Sequence, residues 1–194
     1  MARVNTETSE DLYDARLKAL ESLYGESGDM VLHSSIPFFV GHQLGGAADI
    51  FQFKKHIRGI VSVTFELIGN DQQKPNRLGN YELAICHRAE EDWGPDLIGR
   101  LAYYTLEAVL EPGQTMSIEA AVPEGSSITA LLFMDFGRCE VLGEKSGVLL
   151  CLGITAEELQ LCRQGKRLIV EAALKDQGVY PYTDLYRNTI TLPK

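Results

Sequence analysis

The sequence predicts an α+β fold: a single domain with a mostly antiparallel mixed sheet flanked by about four helices. Three features predict it. Strand-like segments outnumber helical ones. The elements run in the order α, several β, α, several β, α, α, rather than as regular βα units, which points away from a wholly parallel sheet. No internal repeat or low-complexity linker divides the chain.

Each element has a local reason. Residues 8–23 read as the first helix: Thr8 and Asp11 suit its start, and Tyr13, Leu17, Leu20 and Tyr24 recur at helical spacing. Gly25 then supplies the stop. Residues 31–40 form a candidate strand broken near Pro37, and Gly45-Gly46 mark a turn. Residues 49–53 alternate, and 57–68 are rich in β-branched side chains. Residues 70–80, with Pro75 and Gly79, read as a loop. Tyr81, Leu83 and Ile85 alternate with Glu82 and Ala84 in a strand over 78–87. A second helix starts near Asp92 with Pro95 in its first turn. Leu97, Leu101, Tyr104 and Ala108 share one face of it, and Pro112-Gly113 ends it. Strands follow over 115–119, 128–136 and 148–153, with turns at Pro123-Glu124-Gly125 and Gly143-Glu144-Lys145. Thr155-Ala156-Glu157-Glu158 is a capping box that opens a third helix running to about Cys162. Gly165 breaks it, residues 168–174 form a fourth, and residues 189–192 a last short strand. The expected organisation is an N-terminal helical segment, residues 1–28, packed on a domain of residues 29–194.

Composition narrows the function classes. The 194 residues carry 18 Lys and Arg against 27 Asp and Glu, a formal charge of −9. That charge argues against a general nucleic-acid binder, which needs a basic face for phosphates. The one basic cluster, Lys54-Lys55-His56-Ile57-Arg58, reads as a solvated turn. The N-terminal residues have no apolar run of the secretory type. The most apolar windows, 128–133 and 148–154, are far shorter than the roughly 20 residues a membrane helix needs. A cytoplasmic protein without a membrane segment is therefore expected. The four cysteines, Cys86, Cys139, Cys151 and Cys162, form no C-x-x-C pair and read as reduced thiols, mostly in the core.

No catalytic constellation stands out. There is no G-x-S-x-G elbow; Glu124-Gly125-Ser126-Ser127-Ile128 lacks the second glycine. Gly41-His42-Gln43-Leu44-Gly45-Gly46 lacks the Lys-Ser/Thr ending of a phosphate loop and reads as a turn. His33, His42, His56 and His87 are scattered, with no H-x-x-x-H pair, so neither a metal nor a cofactor is expected. The best acid–base pairings would be His42 with Asp49 or His87 with Glu90. Glu90-Glu91-Asp92 reads as a complement to the helix dipole or as an acidic edge for a partner. Trp93, the only tryptophan, reads as a staple at the start of the second helix or as an exposed binding anchor.

Three longer phrases carry a resemblance. Asn80-Tyr81-Glu82-Leu83 leading to Trp93 and then residues 97–106 is the first. Leu152-Gly153-Ile154-Thr155-Ala156-Glu157-Glu158-Leu159 is the second, and Tyr182-Thr183-Asp184-Leu185-Tyr186-Arg187 the third. In this order they resemble the suppressor of fused family over roughly residues 30–190. The resemblance implies a domain like the N-terminal one of the animal protein, a negative regulator that holds a transcription-factor peptide partly by strand addition. Bacterial single-domain members are taken as immunity proteins against toxins of polymorphic toxin systems. It also implies three partner-binding positions. Tyr104 and Asp135 match a tyrosine and a carboxylate at the animal protein's peptide surface. Gln114 stands where that protein has an aspartate. Read from the residues alone, Tyr104 is equally a core residue and Asp135 equally a solvated strand end.

The function expected is therefore a non-catalytic protein-binding module, an immunity protein first. The alternatives are a regulator of an endogenous protein or peptide, and an enzyme of unrecognised type. The expected partner is a toxin or a regulatory protein or peptide, with the oligomeric state left open.

Overall fold

The computed structural model describes residues 6–28 and 30–192. The strands form where β-branched and aromatic residues concentrate. They are β1 (Val31–Leu32), β2 (Ile50–Phe53), β3 (Ile60–Thr64), β4 (Asn80–His87), β5 (Thr115–Ser117), β6 (Ile128–Val141) and β7 (Glu144–Thr155). They make one seven-stranded sheet in the order β1-β2-β3-β4-β7-β6-β5. Only the central β4–β7 pair is parallel; all the others are antiparallel.

Both faces of the sheet are covered. α1 (Thr6–Tyr24) and the pair α4 (Ala156–Leu161) and α5 (Arg167–Asp176) lie on one face. There Leu20, Tyr24, Leu159, Val170 and Leu174 pack with Ala84, Leu132 and Leu152. α2 (Trp93–Leu101) and the short α3 (Tyr104–Glu107) lie on the other. There Ile98 and Ala102 pack with Leu83, Leu131, Phe133 and Leu149. This two-sided burial makes β4 and β7 almost wholly buried and nearly continuous in apolar residues.

Several expectations shift. α1 starts at Thr6, so Thr8 lies inside the helix rather than at its cap. Its stop is as expected: Gly25 has φ 86° and donates its N–H to Glu21. Residues 31–40 are a two-residue strand ending at Leu32, an isolated bridge from Pro37 to Ala47, and a tight turn over Phe38–Val40. The β6–β7 ladder runs to Val141 and Glu144, longer than expected. Its turn is Leu142-Gly143, both at positive φ, as a two-residue hairpin requires. Residues 189–192 form no strand. Three helices of eight or more residues, α1, α2 and α5, are present among the described residues, rather than about four; α3 and α4 are shorter. Gly165, at a non-helical φ of 81°, separates α4 from α5, the break expected there. The capping box holds: the Glu158 N–H donates to the Thr155 hydroxyl, and the Thr155 N–H to the Glu158 carboxylate at 3.0 Å.

Two buried ion pairs fasten the periphery to this sheet. Glu82, on β4, is fully buried and accepts from the N–H groups of Leu67 and Ile68 at 2.9 and 2.8 Å and from the Thr64 hydroxyl at 2.6 Å. Arg16 of α1 donates to the carbonyls of Phe65 and Ile68 and lies 3.8 Å from the Glu82 carboxylate. Burial is the largest influence on Glu82 and raises its pKa, which the Arg16 charge partly offsets. The second pair, Arg187 with Glu158, ties the chain's last segment to α4.

Candidate functional site

α2 presents two unlike faces. The sheet-facing side carries Gly94, Ile98, Gly99 and Ala102, all buried. Small residues are required there. A Cβ at Gly99 would stand 3.1 Å from the Ala48 carbonyl, and the Ala48 N–H donates to the Gly99 carbonyl at 3.0 Å. Along the neighbouring side lie Leu97 and Leu101, with Tyr104 of α3 beyond them. These were expected to form a buried stripe; they are only partly covered, and Tyr104 is 43% exposed.

That second side forms one wall of a groove of about 590 Å³. The other wall is the segment Ser117–Ala121, with Ile118 at its base and Arg100 at one end. The lining is mostly aliphatic. The Trp93 indole N–H donates to the Ala121 carbonyl at 2.8 Å and so clamps the start of α2 to this wall. Trp93 thus acts as the expected staple. The Tyr81 hydroxyl accepts the Leu110 N–H at 3.0 Å and steadies the chain between α3 and β5; burial pushes its pKa up to about 12.

β5 borders the groove and is the last strand of the sheet. Its bonding parity follows from its neighbours. The Gln114 carbonyl accepts from Phe133, the Ile118 N–H donates to Thr129, and Met116 faces Leu131 across the ladder. Residues 114, 116 and 118 therefore bond inward to β6. Thr115 and Ser117 turn their N–H and C=O groups outward, where no chain segment among the described residues meets them. An edge of this kind is a template for another strand.

The three expected positions occupy different places. Tyr104 lines the groove. Gln114 is exposed at the start of β5, and its side-chain carbonyl accepts the Glu111 N–H at 3.0 Å. Asp135 lies on β6 beyond the residues paired with β5, beside an irregularity in the ladder. Arg138 donates to its carboxylate at 2.7 Å, so it is half of a surface ion pair. The outward groups of Thr115 and Ser117 escaped sequence reasoning. A three-residue strand between Pro112-Gly113 and Pro123 was the available signal for an edge.

The acid–base pairings weighed from sequence do not assemble. Asp49 pairs with His33 at 2.7 Å, while His42 packs against the Tyr103 ring. Glu90 pairs with Lys54, and His87 is buried, its pKa lowered to about 4 by desolvation. Among the described residues, no group of three or more His, Cys, Asp or Glu is placed to hold a metal. No helix among them is long and apolar enough to cross a membrane. Cys86 and Cys151 are buried free thiols; Cys139 and Cys162 are free and partly buried.

A family model described as Suppressor of fused protein (SUFU) matches residues 49–188. No curated protein matches the chain. Among solved structures, a SUFU homolog from Neisseria gonorrhoeae FA 1090 is 17% identical, with a TM-score of 0.67 over 95% of this chain and 100% of that one. The structure of a Sufu-Fu complex gives 14% identity and a TM-score of 0.67 over 92% and 91%. Drosophila Suppressor of Fused gives 14% and 0.66 over 90% of this chain but 51% of that chain, so this chain spans about half of it. At these identities the structures show a shared fold.

Proposed function

The chain belongs to the suppressor of fused family, and from that premise we propose that it is a non-catalytic cytoplasmic protein-binding module, specifically an immunity protein that neutralises a bacterial toxin. The observation that carries the reading is the outward edge of β5 beside the Tyr104 groove. A partner strand pairs with Thr115 and Ser117 and places an apolar side chain in the groove, the two parts of strand-addition recognition. Tyr104 lies under that side chain, Gln114 sets the end of the pairing, and Asp135 supplies a carboxylate farther along β6. The likeness to a relative solved as a Sufu-Fu complex supports a protein as the partner. The formal charge of −9 supports a basic one.

The test is capture from the source organism's lysate on immobilised wild-type chain and on a Tyr104→Arg variant. The wild type should retain a toxin-like protein and inhibit its activity. The variant should retain little of it. Retention should fall as ionic strength rises from about 0.01 to about 1 M, which shortens the Debye length from roughly 30 to roughly 3 Å. Capture of a signalling or transcription factor instead would favour the regulator reading. Capture equal on both baits would count against this surface.

A further inference from the structure

β4 and β7 pair in parallel over residues 80–84 and 146–150, and the ladder does not continue toward their carboxyl ends. The helices that follow them go to opposite faces, α2 beside Leu83 and α4 beside Leu152. Parallel strands whose following helices diverge leave a crevice at their carboxyl ends, the usual binding position of open α/β sheets. Here the segment 182–186 enters the crevice. The Thr183 N–H donates to the Cys86 carbonyl at 2.9 Å, and the Thr183 hydroxyl accepts the Gly153 N–H at 2.8 Å.

What that segment leaves open is a pocket of about 190 Å³. Sites for drug-sized ligands run to roughly 300–1,000 Å³, so this one suits a single side chain. Its lining includes Trp93, Tyr182 and Tyr186, with Glu91 and Asp184 among the polar groups. Tyr186 is 67% exposed, so its ring stands free to receive a ligand. One guanidinium already sits on an aromatic face here: Arg88 lies 4.0 Å over the Tyr182 ring and donates to the Gly178 carbonyl at 2.8 Å. His87 also lines the pocket, but it is only 5% exposed and its Nε2 is covered by Gly94 of α2, so the exposed groups set the pocket's chemistry. An anion would meet two carboxylates against one guanidinium, Arg88, which is already engaged with Tyr182 and the Gly178 carbonyl. A neutral side chain would take water from the Glu91 carboxylate without offering it a partner, at a desolvation cost. A cation meets two carboxylates and ring faces, against the single positive charge of Arg88.

We propose that this pocket receives the guanidinium or ammonium end of a basic side chain of a protein partner, against Trp93 and Tyr186 and beside Glu91 and Asp184. The place adjoins the groove, because Trp93 bonds to Ala121, which lines it. Only the source of the side chain rests on the protein-binding reading; the pocket's chemistry is tested without a partner.

Trp93 is the only tryptophan, so its emission reports on this pocket and the adjoining groove wall, and the variants below assign the response to the pocket. Nα-acetyl-arginine amide is titrated into the chain at low salt, with Nα-acetyl-norleucine amide as the uncharged control. The arginine probe should give a saturable change and the norleucine probe none. Glu91→Gln and Tyr186→Ala, both at exposed positions, should each weaken binding about two- to fivefold. Arg88→Ala, which frees the Tyr182 face, should tighten it. No saturable change, an equal response to norleucine, or indifference to both weakening variants would overturn the proposal. Loss of the probe response in a chain that still captures its partner would overturn the pocket and leave the groove standing.

Discussion

Replacing Arg187 with alanine should lower the unfolding free energy by about 3–5 kcal/mol, the usual cost of stranding one half of a buried ion pair. Arg187 reaches both carboxylate oxygens of Glu158, and the two side chains are almost fully buried. It also donates to the Gly153 carbonyl at 3.0 Å. Glu158 accepts the Ile190 N–H at 2.9 Å, so one carboxylate joins α4, the strap after residue 181 and the end of β7. Without Arg187 a charged carboxylate stays in that junction with too few donors. The double variant Arg187→Ala with Glu158→Gln should therefore recover part of the loss, because no charge is then stranded. Urea unfolding of wild type, both singles and the double measures the coupling. A loss below about 1 kcal/mol would place the pair with ordinary surface salt bridges.

Ser117→Pro should cut affinity for the captured partner by at least about thirtyfold, the scale of a binding hot spot. The Ser117 N–H points away from β6, so proline removes a group the partner needs and spares the ladder. Ser117→Ala keeps that N–H and should bind as wild type. Unfolding curves for the two variants separate a binding effect from a folding one. Tyr104→Arg fills the groove with a charge and should cost as much. Wild-type affinity in a folded Ser117→Pro variant would place the partner elsewhere.

Much of the fold was legible because local chemistry and tertiary context agree. The alternation around Tyr81, Pro95 in the first turn of α2, Gly25 after α1 and the Thr155–Glu158 box all sit where their chemistry suits. Two departures share a root: a residue's polarity or size does not by itself say which way it faces. Glu82 read only as one of the residues alternating with Tyr81 and Leu83, yet a layer covers each side of β4, and Arg16 with backbone donors satisfies it. On α2 the large apolar residues read as the core stripe. The close approach to the sheet instead selects Gly94, Gly99 and Ala102 and turns Leu97, Leu101 and Tyr104 toward the groove. The phrases that carried the family resemblance are largely structural: Thr183 meets Gly153, and Arg187 meets Glu158. Tyr104 was legible as a binding position only through that resemblance. That β5 is the edge depends on strand order, and the short span between Pro112-Gly113 and Pro123 was its one local sign.

The central claim is that a partner strand pairs with the outward side of β5. Amide hydrogen exchange on the chain, free and saturated with its captured partner, tests it most directly. Thr115 and Ser117 amides should exchange freely alone and become strongly protected in the complex, while Met116, already bonded to β6, changes little. Unchanged exchange at Thr115 and Ser117, with new protection confined to another surface, would contradict the account.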